Sequence, residues 1–174
     1  MADALHVLVV DNHLMFAEAI KLLLANEDGI EIEGTVGTGE EAVELAGQTC
    51  PEVVLMDIDL PGIDGIEATR QIRAISPQTQ VVVVSAFQQA SVMARAVEAG
   101  AAGFVPKTRA IDDLIDVIAK ILAIQPLPLT PMFRYVVFFD KVREILVPPF
   151  IDIFVKEPSP ELRVYVLVKD HVTC

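Results

Sequence analysis

Four short apolar runs in this chain each stop on a residue able to do chemistry. LHVLVV runs into Asp11 and Asn12, VVLM into Asp57 with Asp59 two positions on, VVVV into Ser85, and GFVP into Lys107. Brought together, these residues would make a pocket of carboxylates, an amide, a hydroxyl and one cation. Oxygen donors of this kind, at partial coordination, suit Mg²⁺. A carboxylate in such a pocket can act as a nucleophile towards phosphorus. The metal and the lysine would neutralise charge on a transferring phosphoryl group. An ammonium about 4 Å from the phosphoryl oxygens contributes roughly 4 kcal/mol at an effective dielectric near 20.

Such residues act together only if the runs that carry them are neighbouring strands. Strand-like runs fall at 5–10, 30–35, 52–56, 80–85 and 102–105. Amphipathic segments fall between and after them, at 13–26, 39–47, 64–75, 88–99 and 111–123. In the first of these, Phe16, Ala17, Ile20, Leu23 and Leu24 recur at helical spacing. In the last, Ile111, Leu114, Ile115, Ile118, Ile121 and Leu122 make the apolar stripe, and Asp112 and Asp113 suit the positive end of the helix dipole. Five strand–helix units in alternation predict an α/β fold, a five-stranded parallel sheet covered by helices on both faces. In such sheets ligands gather at the carboxyl ends of the strands, where the strand order reverses.

Composition narrows the class. The formal net charge is −12, all of it within residues 1–124, while residues 125–174 balance to zero. A surface this acidic repels nucleic-acid phosphates, so direct DNA binding is disfavoured. No apolar run is long enough to span a bilayer, no secretory signal is evident at the N-terminus, and Cys50 and Cys174 are the only cysteines. This pattern fits a reducing cytoplasm. GTVGTGEEA departs from G-x-G-x-x-G, which argues against a dinucleotide site.

The constellation Asp11, Asp57, Ser85 and Lys107, in that order along the strand ends, resembles the receiver domain of bacterial two-component response regulators. DIDLPGIDGIEATRQI is similar to that family's phosphorylation loop and following helix. DNHLMFAEAI, VVVVSAF and EAGAAGFVPK resemble the subfamily that usually carries a LuxR-type helix-turn-helix. The resemblance spans residues 5–123 and implies a flavodoxin-like receiver fold. It also implies that Asp57 accepts a phosphoryl group from a sensor histidine kinase. Asp11, Asn12, Asp57 and the backbone carbonyl of Asp59 would hold Mg²⁺. Ser85 would hydrogen-bond the phosphate, Lys107 would pair with its oxygens, and Phe104 would rotate inward. The face built from residues 88–123 would then change its affinity for a second copy or a partner protein. Catalysis would be limited to the domain's own phosphorylation and dephosphorylation.

One departure from the family bears on the chemistry. A second acid is usual where this chain has Asn12, which keeps a carbonyl oxygen but lacks the charge. A loss of ~1.4 kcal/mol weakens Mg²⁺ binding about tenfold, so phosphorylation should be slower or need more Mg²⁺. Other polar residues nearby read as structural. Asp59 is a turn acid whose side chain does little, and Asp64 a helix cap or loop residue; His13 could serve as a ligand or phosphodonor, but at a helix start it reads as a polar end residue.

Beyond residue 123 the texture changes. Seven of the eleven prolines lie between Pro126 and Pro160. Residues 124–131, IQPLPLTP, read as a linker, and residues 132–174 as an atypical segment, β-rich or irregular. Pro148-Pro149 and Pro158 with Pro160 would break the helices of a recognition domain, so the DNA-binding output reads as missing or replaced. The segment reads as a small β-rich interaction element, a strand pair packed on the receiver, or a sequence altered by a frameshift after residue 131. Two rival readings from other classes stand beside the receiver. Asp57-Ile58-Asp59 also fits the Asp-x-Asp pair of haloacid-dehalogenase-like phosphatases, and a degenerate receiver would act only as a protein-binding module.

Overall fold

The computed structural model describes residues 4–123 together with three short strand segments, 137–138, 153–155 and 165–167. The chain alternates β1 (Leu5–Val10), α1 (Leu14–Ala25), β2 (Ile30–Val36), α2 (Gly39–Thr49), β3 (Val53–Met56), α3 (Gly65–Ile75), β4 (Gln80–Ser85), α4 (Ala90–Ala99) and β5 (Gly103–Pro106). A 3-10 turn, Lys107–Arg109, then leads into α5 (Ala110–Ala123). The strands pair in parallel in the order β2-β1-β3-β4-β5, as the alternating pattern predicts. The chain moves outward from β1 to β2 and then returns to build the other side from β3. The order therefore reverses between β1 and β3, with Asp11 and Asp57 just beyond their carboxyl ends.

The continuous apolar runs are explained by burial on both sheet faces. Val7 and Val9 of β1 face one core, shared with Ala17, Ile20 and Leu24 of α1 and with Leu114, Val117 and Ile118 of α5. Leu8 and Val10 face the other, shared with Ala42 and Ala46 of α2 and Ala68 and Ile72 of α3. The period-two alternation of side chains thus hands successive residues of one strand to opposite layers. A third cluster joins Val83 and Phe104 to Ile58, Ile66, Ala96 and Ala99 beneath α4.

The stripe expected on α5 needs one correction. Ile111 is half exposed, while Val117, outside the expected set, is fully buried. Ala110, Leu114 and Val117 recur at helical spacing and define the inward face, which turns Ile111 out to solvent at the helix start.

A further short strand, β6 (Val137–Phe138), pairs in parallel with β5, and β7 (Ile153–Val155) pairs antiparallel with β8 (Tyr165–Leu167). Sheet order thus extends one strand past the five expected; β5 would otherwise present an edge of unpaired backbone groups. β6 lies within FRYVVFFD and β8 within LRVYVLVK. The linker expected at 124–131, and the prolines after it, lie outside the described residues.

Candidate functional site

Asp57 follows β3 directly, and its backbone N–H donates to the Val10 carbonyl at 2.9 Å, continuing the β1–β3 pairing by one residue. This bond places the two acids side by side, since Asp11 follows Val10. Asp11 in turn donates its N–H to the Val36 carbonyl of β2 at 3.0 Å. Both acids are buried. Lys107, entering from the end of β5, places Nζ 2.6 Å from Asp11 Oδ2 and 2.7 Å from Asp57 Oδ2. The Nζ also lies 4.8 Å from the centroid of the Phe16 ring, an arrangement that adds cation–π attraction and walls the ammonium off from water on one side. Phe16, on the apolar face of α1, packs against the core as its spacing predicts and also turns its half-buried ring to the site.

The loop after Asp57 is shaped by a close backbone approach. Gly65 N–H donates to the Ile58 carbonyl at 3.0 Å, and a Cβ on Gly65 would lie 1.8 Å from the Asp57 carbonyl oxygen. Only glycine fits there. Asp64 caps α3, accepting from the Glu67 N–H at 2.8 Å, as expected of it. Asp57 Oδ1 accepts from the Ile58 N–H at 2.8 Å and from the Asp59 N–H at 3.5 Å, leaving Oδ2 to the lysine. Burial pushes the Asp57 carboxyl above the ordinary carboxylate range; repulsion from Asp11 adds to the rise, while the Lys107 hydrogen bond and charge oppose it.

The remaining expected residues divide. Ser85 is fully buried at the end of β4, its Oγ accepting from the Phe87 N–H at 3.1 Å. Phe104 is buried in the cluster beneath α4. Asn12 and Asp59 are exposed at the rim. His13, set aside in the sequence as a polar end residue, lies against the two acids. It is the N-cap of α1 yet makes no side-chain cap. Its backbone N–H donates to Asp11 Oδ1 at 2.8 Å, and its ring Nδ1 lies 3.2 Å from Asp11 Oδ1 and 3.7 Å from Asp57 Oδ2. The spacing Asp11-x-His13 at the end of a strand is the one signal that could have raised it. A cleft of about 340 Å³ opens over this group, lined by His13, Met15, Phe16, Asp57, Asp59, Ala86, Phe87 and Lys107.

Donor chemistry supports a divalent cation here. One atom each from Asp11, His13 and Asp57 can be chosen so that all lie within 4.8 Å of one another, and two of the three are carboxylate oxygens, the ligands that hard cations take.

A doubly covered parallel sheet with buried acids and a lysine at its topological switch point defines an α/β domain of the flavodoxin-like class. The chain belongs to the response regulator receiver domain family, whose sequence pattern matches residues 7–119. Among its relatives is the response regulator GacA of Pseudomonas aeruginosa, 37% identical over 117 residues, or 67% of this chain and 55% of that protein. Another is the transcriptional regulatory protein DegU of Brevibacillus brevis, 34% identical over 121 residues, or 70% of this chain and 51% of that one. The chain spans about half the length of these relatives. Similar solved structures include a LuxR-family two-component response regulator from Aurantimonas, 33% identical with a TM-score of 0.66, covering 70% of this chain and 86% of that one. The receiver domain of the response regulator NarL from Mycobacterium tuberculosis is 26% identical with a TM-score of 0.68, covering 71% of this chain and all of that one. The protein is thus a two-component response-regulator receiver, and nothing in these likenesses favours the haloacid-dehalogenase reading. Among the described residues, no helix is long and apolar enough to cross a membrane.

Proposed function

We propose that Asp57 is the phosphoacceptor of this receiver and that a sensor histidine kinase is its donor. The observation that carries the proposal is the Asp57 carboxylate, buried yet open to the cleft, held 2.7 Å from Lys107 Nζ beside a second buried acid. In the transfer, an Asp57 oxygen forms a bond to phosphorus as the bond from phosphorus to the donor's imidazole nitrogen breaks. Lys107 faces the developing charge on the phosphoryl oxygens, and Phe16 keeps the ammonium aimed into the cleft. Mg²⁺ at Asp11 and Asp57, with Asn12 and the Asp59 carbonyl as rim donors, would supply further neutralisation of the transferring group.

On the opposite side of the site, Ser85 Oγ would exchange its Phe87 contact for a phosphoryl oxygen. Phe104 and the 88–123 face would respond and alter affinity for a second copy or a partner protein. No turnover of a separate substrate is proposed. The acidic surface argues for a protein rather than DNA as the immediate partner of this domain, and a cytoplasmic setting fits a kinase-fed acceptor. Residues 5–123 form the receiver in this reading, with 124–131 as linker and 132–174 as a separate segment.

Acetyl phosphate labelling with and without Mg²⁺, read by intact mass, tests the assignment. One phosphoryl group per chain, dependent on Mg²⁺ and lost in Asp57→Asn, is the expected result. Steady hydrolysis of a phosphomonoester that is abolished by Asp59→Asn would overturn it in favour of a phosphatase. Absent labelling at saturating Mg²⁺ would instead identify a degenerate receiver.

A further inference from the structure

Position 12 and the placement of His13 bear on the same pair of buried acids. Asn12, where the resemblance leads one to expect an acid, is turned to solvent. The side chain that approaches the two buried carboxylates from the start of α1 is the imidazole of His13. Its position is fixed locally, because the His13 N–H and the ring Nδ1 both address Asp11 Oδ1, at 2.8 and 3.2 Å.

A small closure of this group would bring it to a coordination polyhedron, since the three donor atoms lie within 4.8 Å of one another. Metal bonds of about 2.1 Å place neighbouring ligand atoms roughly 3.0 Å apart in an octahedron and roughly 3.4 Å in a tetrahedron. His13 Nδ1 lies 3.2 Å from Asp11 Oδ1 and 3.7 Å from Asp57 Oδ2. The same three side chains already surround a positive group, since Lys107 Nζ lies 2.6 Å from Asp11, 2.7 Å from Asp57 and 3.4 Å from His13 Nδ1. An imidazole nitrogen is a borderline-soft donor that adds little for Mg²⁺ and much for a first-row transition cation.

We propose that His13 is a direct nitrogen ligand of the divalent cation at Asp11 and Asp57, and that it shifts the preference of the site from Mg²⁺ towards transition cations such as Mn²⁺. In the bound form the Nδ1 lone pair faces the cation and the ring proton resides on Nε2 or leaves to solvent. The inference rests on the receiver reading for the identity of the pocket, while its test involves no phosphoryl transfer.

The experiment uses the full chain labelled with ¹⁵N-histidine, titrated with Mn²⁺ alone and with Mg²⁺ alone, and pulsed electron paramagnetic resonance of the Mn²⁺ form. Binding of Mn²⁺ about tenfold or more tighter than Mg²⁺ is expected, with a nitrogen coupling that changes when histidine carries ¹⁵N. In His13→Ala the coupling disappears, Mn²⁺ affinity falls about tenfold and Mg²⁺ affinity moves by less than about threefold. His13→Gln, which keeps polar bulk at the helix start, loses the coupling as well. A Mn²⁺ form with no histidine coupling overturns the proposal. So does a coupling and a Mn²⁺ preference that survive in both variants, since the nitrogen would then belong to another histidine. Histidine-coupled Mn²⁺ in a chain that takes no phosphoryl group would overturn the phosphoacceptor reading and uphold His13 as a ligand. Mg²⁺-dependent labelling without histidine coupling would do the reverse.

Discussion

The site has two halves built on different physics. At the ends of β1 and β3, Asp11, Asp57 and His13 crowd around one ammonium, and nearly every interaction is between charged or ionisable groups. At the ends of β4 and β5, Ser85 is held by a single hydrogen bond and Phe104 by an apolar cluster. The helices follow the same division. Both α2 and α3 start on side-chain caps, Thr38 and Asp64. By contrast α1 and α4, which start at the two halves, have none. The first half is tied together by electrostatics that a phosphoryl group would rearrange; the second is held by packing, and α4 buries only Ala96 and Ala99. Charge chemistry is therefore concentrated where the substrate arrives, and loosely anchored packing where a response would be read out.

Truncation in the packed half should have the largest effect on stability. Phe104 is among the largest fully buried side chains, and Phe104→Ala should lower unfolding free energy by about 3–5 kcal/mol. Urea unfolding at two pH values checks this, and a loss that is the same at pH 5 and pH 7 is expected, because the side chains packed with Phe104 in that cluster are apolar.

In the charged half the expected effects are smaller and depend on pH. Lys107→Met leaves two buried carboxylates facing each other and should destabilise the fold by about 3 kcal/mol near pH 7, and by less in acid, where the Asp57 carboxyl, raised by burial, takes up its proton. Asp57→Asn should act in the opposite direction. Because the folded Asp57 carboxyl titrates above its ordinary value, the folded state holds more protons than the unfolded state over the window between the two. Stability therefore falls as pH rises through that window. Removing the charge relieves the penalty, so the stability gained in Asp57→Asn should grow from pH 4 to pH 7. Paired denaturation curves in the presence of a chelator would show it. A gain that shrinks with pH would mean that the Lys107 contact outweighs burial.

The legibility of the two halves in sequence differs for the same reason. The central strands were readable because they are buried on both faces and so run almost wholly apolar, as in Val53–Met56, whereas β2, at the sheet edge, was readable from its alternation of Ile with Glu. Asp11, Asp57, Ser85 and Lys107 were readable because each breaks such a run at its carboxyl end. His13 was not, since a histidine beside a helix start looks like a solvated end residue until the backbone is known to turn it onto Asp11. Phe16 was read onto the apolar face because its spacing matches Ile20 and Leu23, and it does pack against the core; nothing in periodicity says that a lysine ninety residues on will also lie across its ring. The error at Ile111 has a similar origin, since the inward stripe begins at Ala110 and small residues carry little weight in a pattern of large apolar ones. Strand β6 adds to an edge whose pairing partner no local pattern identifies.

A smaller effect is expected at the rim. Asn12→Asp restores an acid beside the buried pair, and about 1.4 kcal/mol of additional attraction would tighten Mg²⁺ binding about tenfold. Titration of Mg²⁺ in acetyl phosphate labelling reads the change directly, as a lower concentration for half-maximal labelling. An unchanged Mg²⁺ requirement would show that position 12 is too solvated to matter and that the charged half is complete without it.

The smallest effect should come from Ser85. Ser85→Ala removes the acceptor for the Phe87 N–H, and a single neutral hydrogen bond contributes about 1 kcal/mol net. Phe87 is partly exposed, so water can take up the freed N–H and the loss in stability should fall at or below that figure. The lifetime of the phosphorylated form is the sharper readout. If Ser85 Oγ turns from Phe87 to the phosphoryl group, the unmodified variant should unfold almost as the parent does, while its coupling of phosphorylation to the α4 face weakens. Hydrogen exchange across residues 86–99, compared with and without acetyl phosphate, measures that coupling. A phosphorylation-induced change of the same size in Ser85→Ala and parent would place the link between the two halves elsewhere, either at Ile58, which follows Asp57 in the chain and packs in the Phe104 cluster, or at Lys107 at the end of β5.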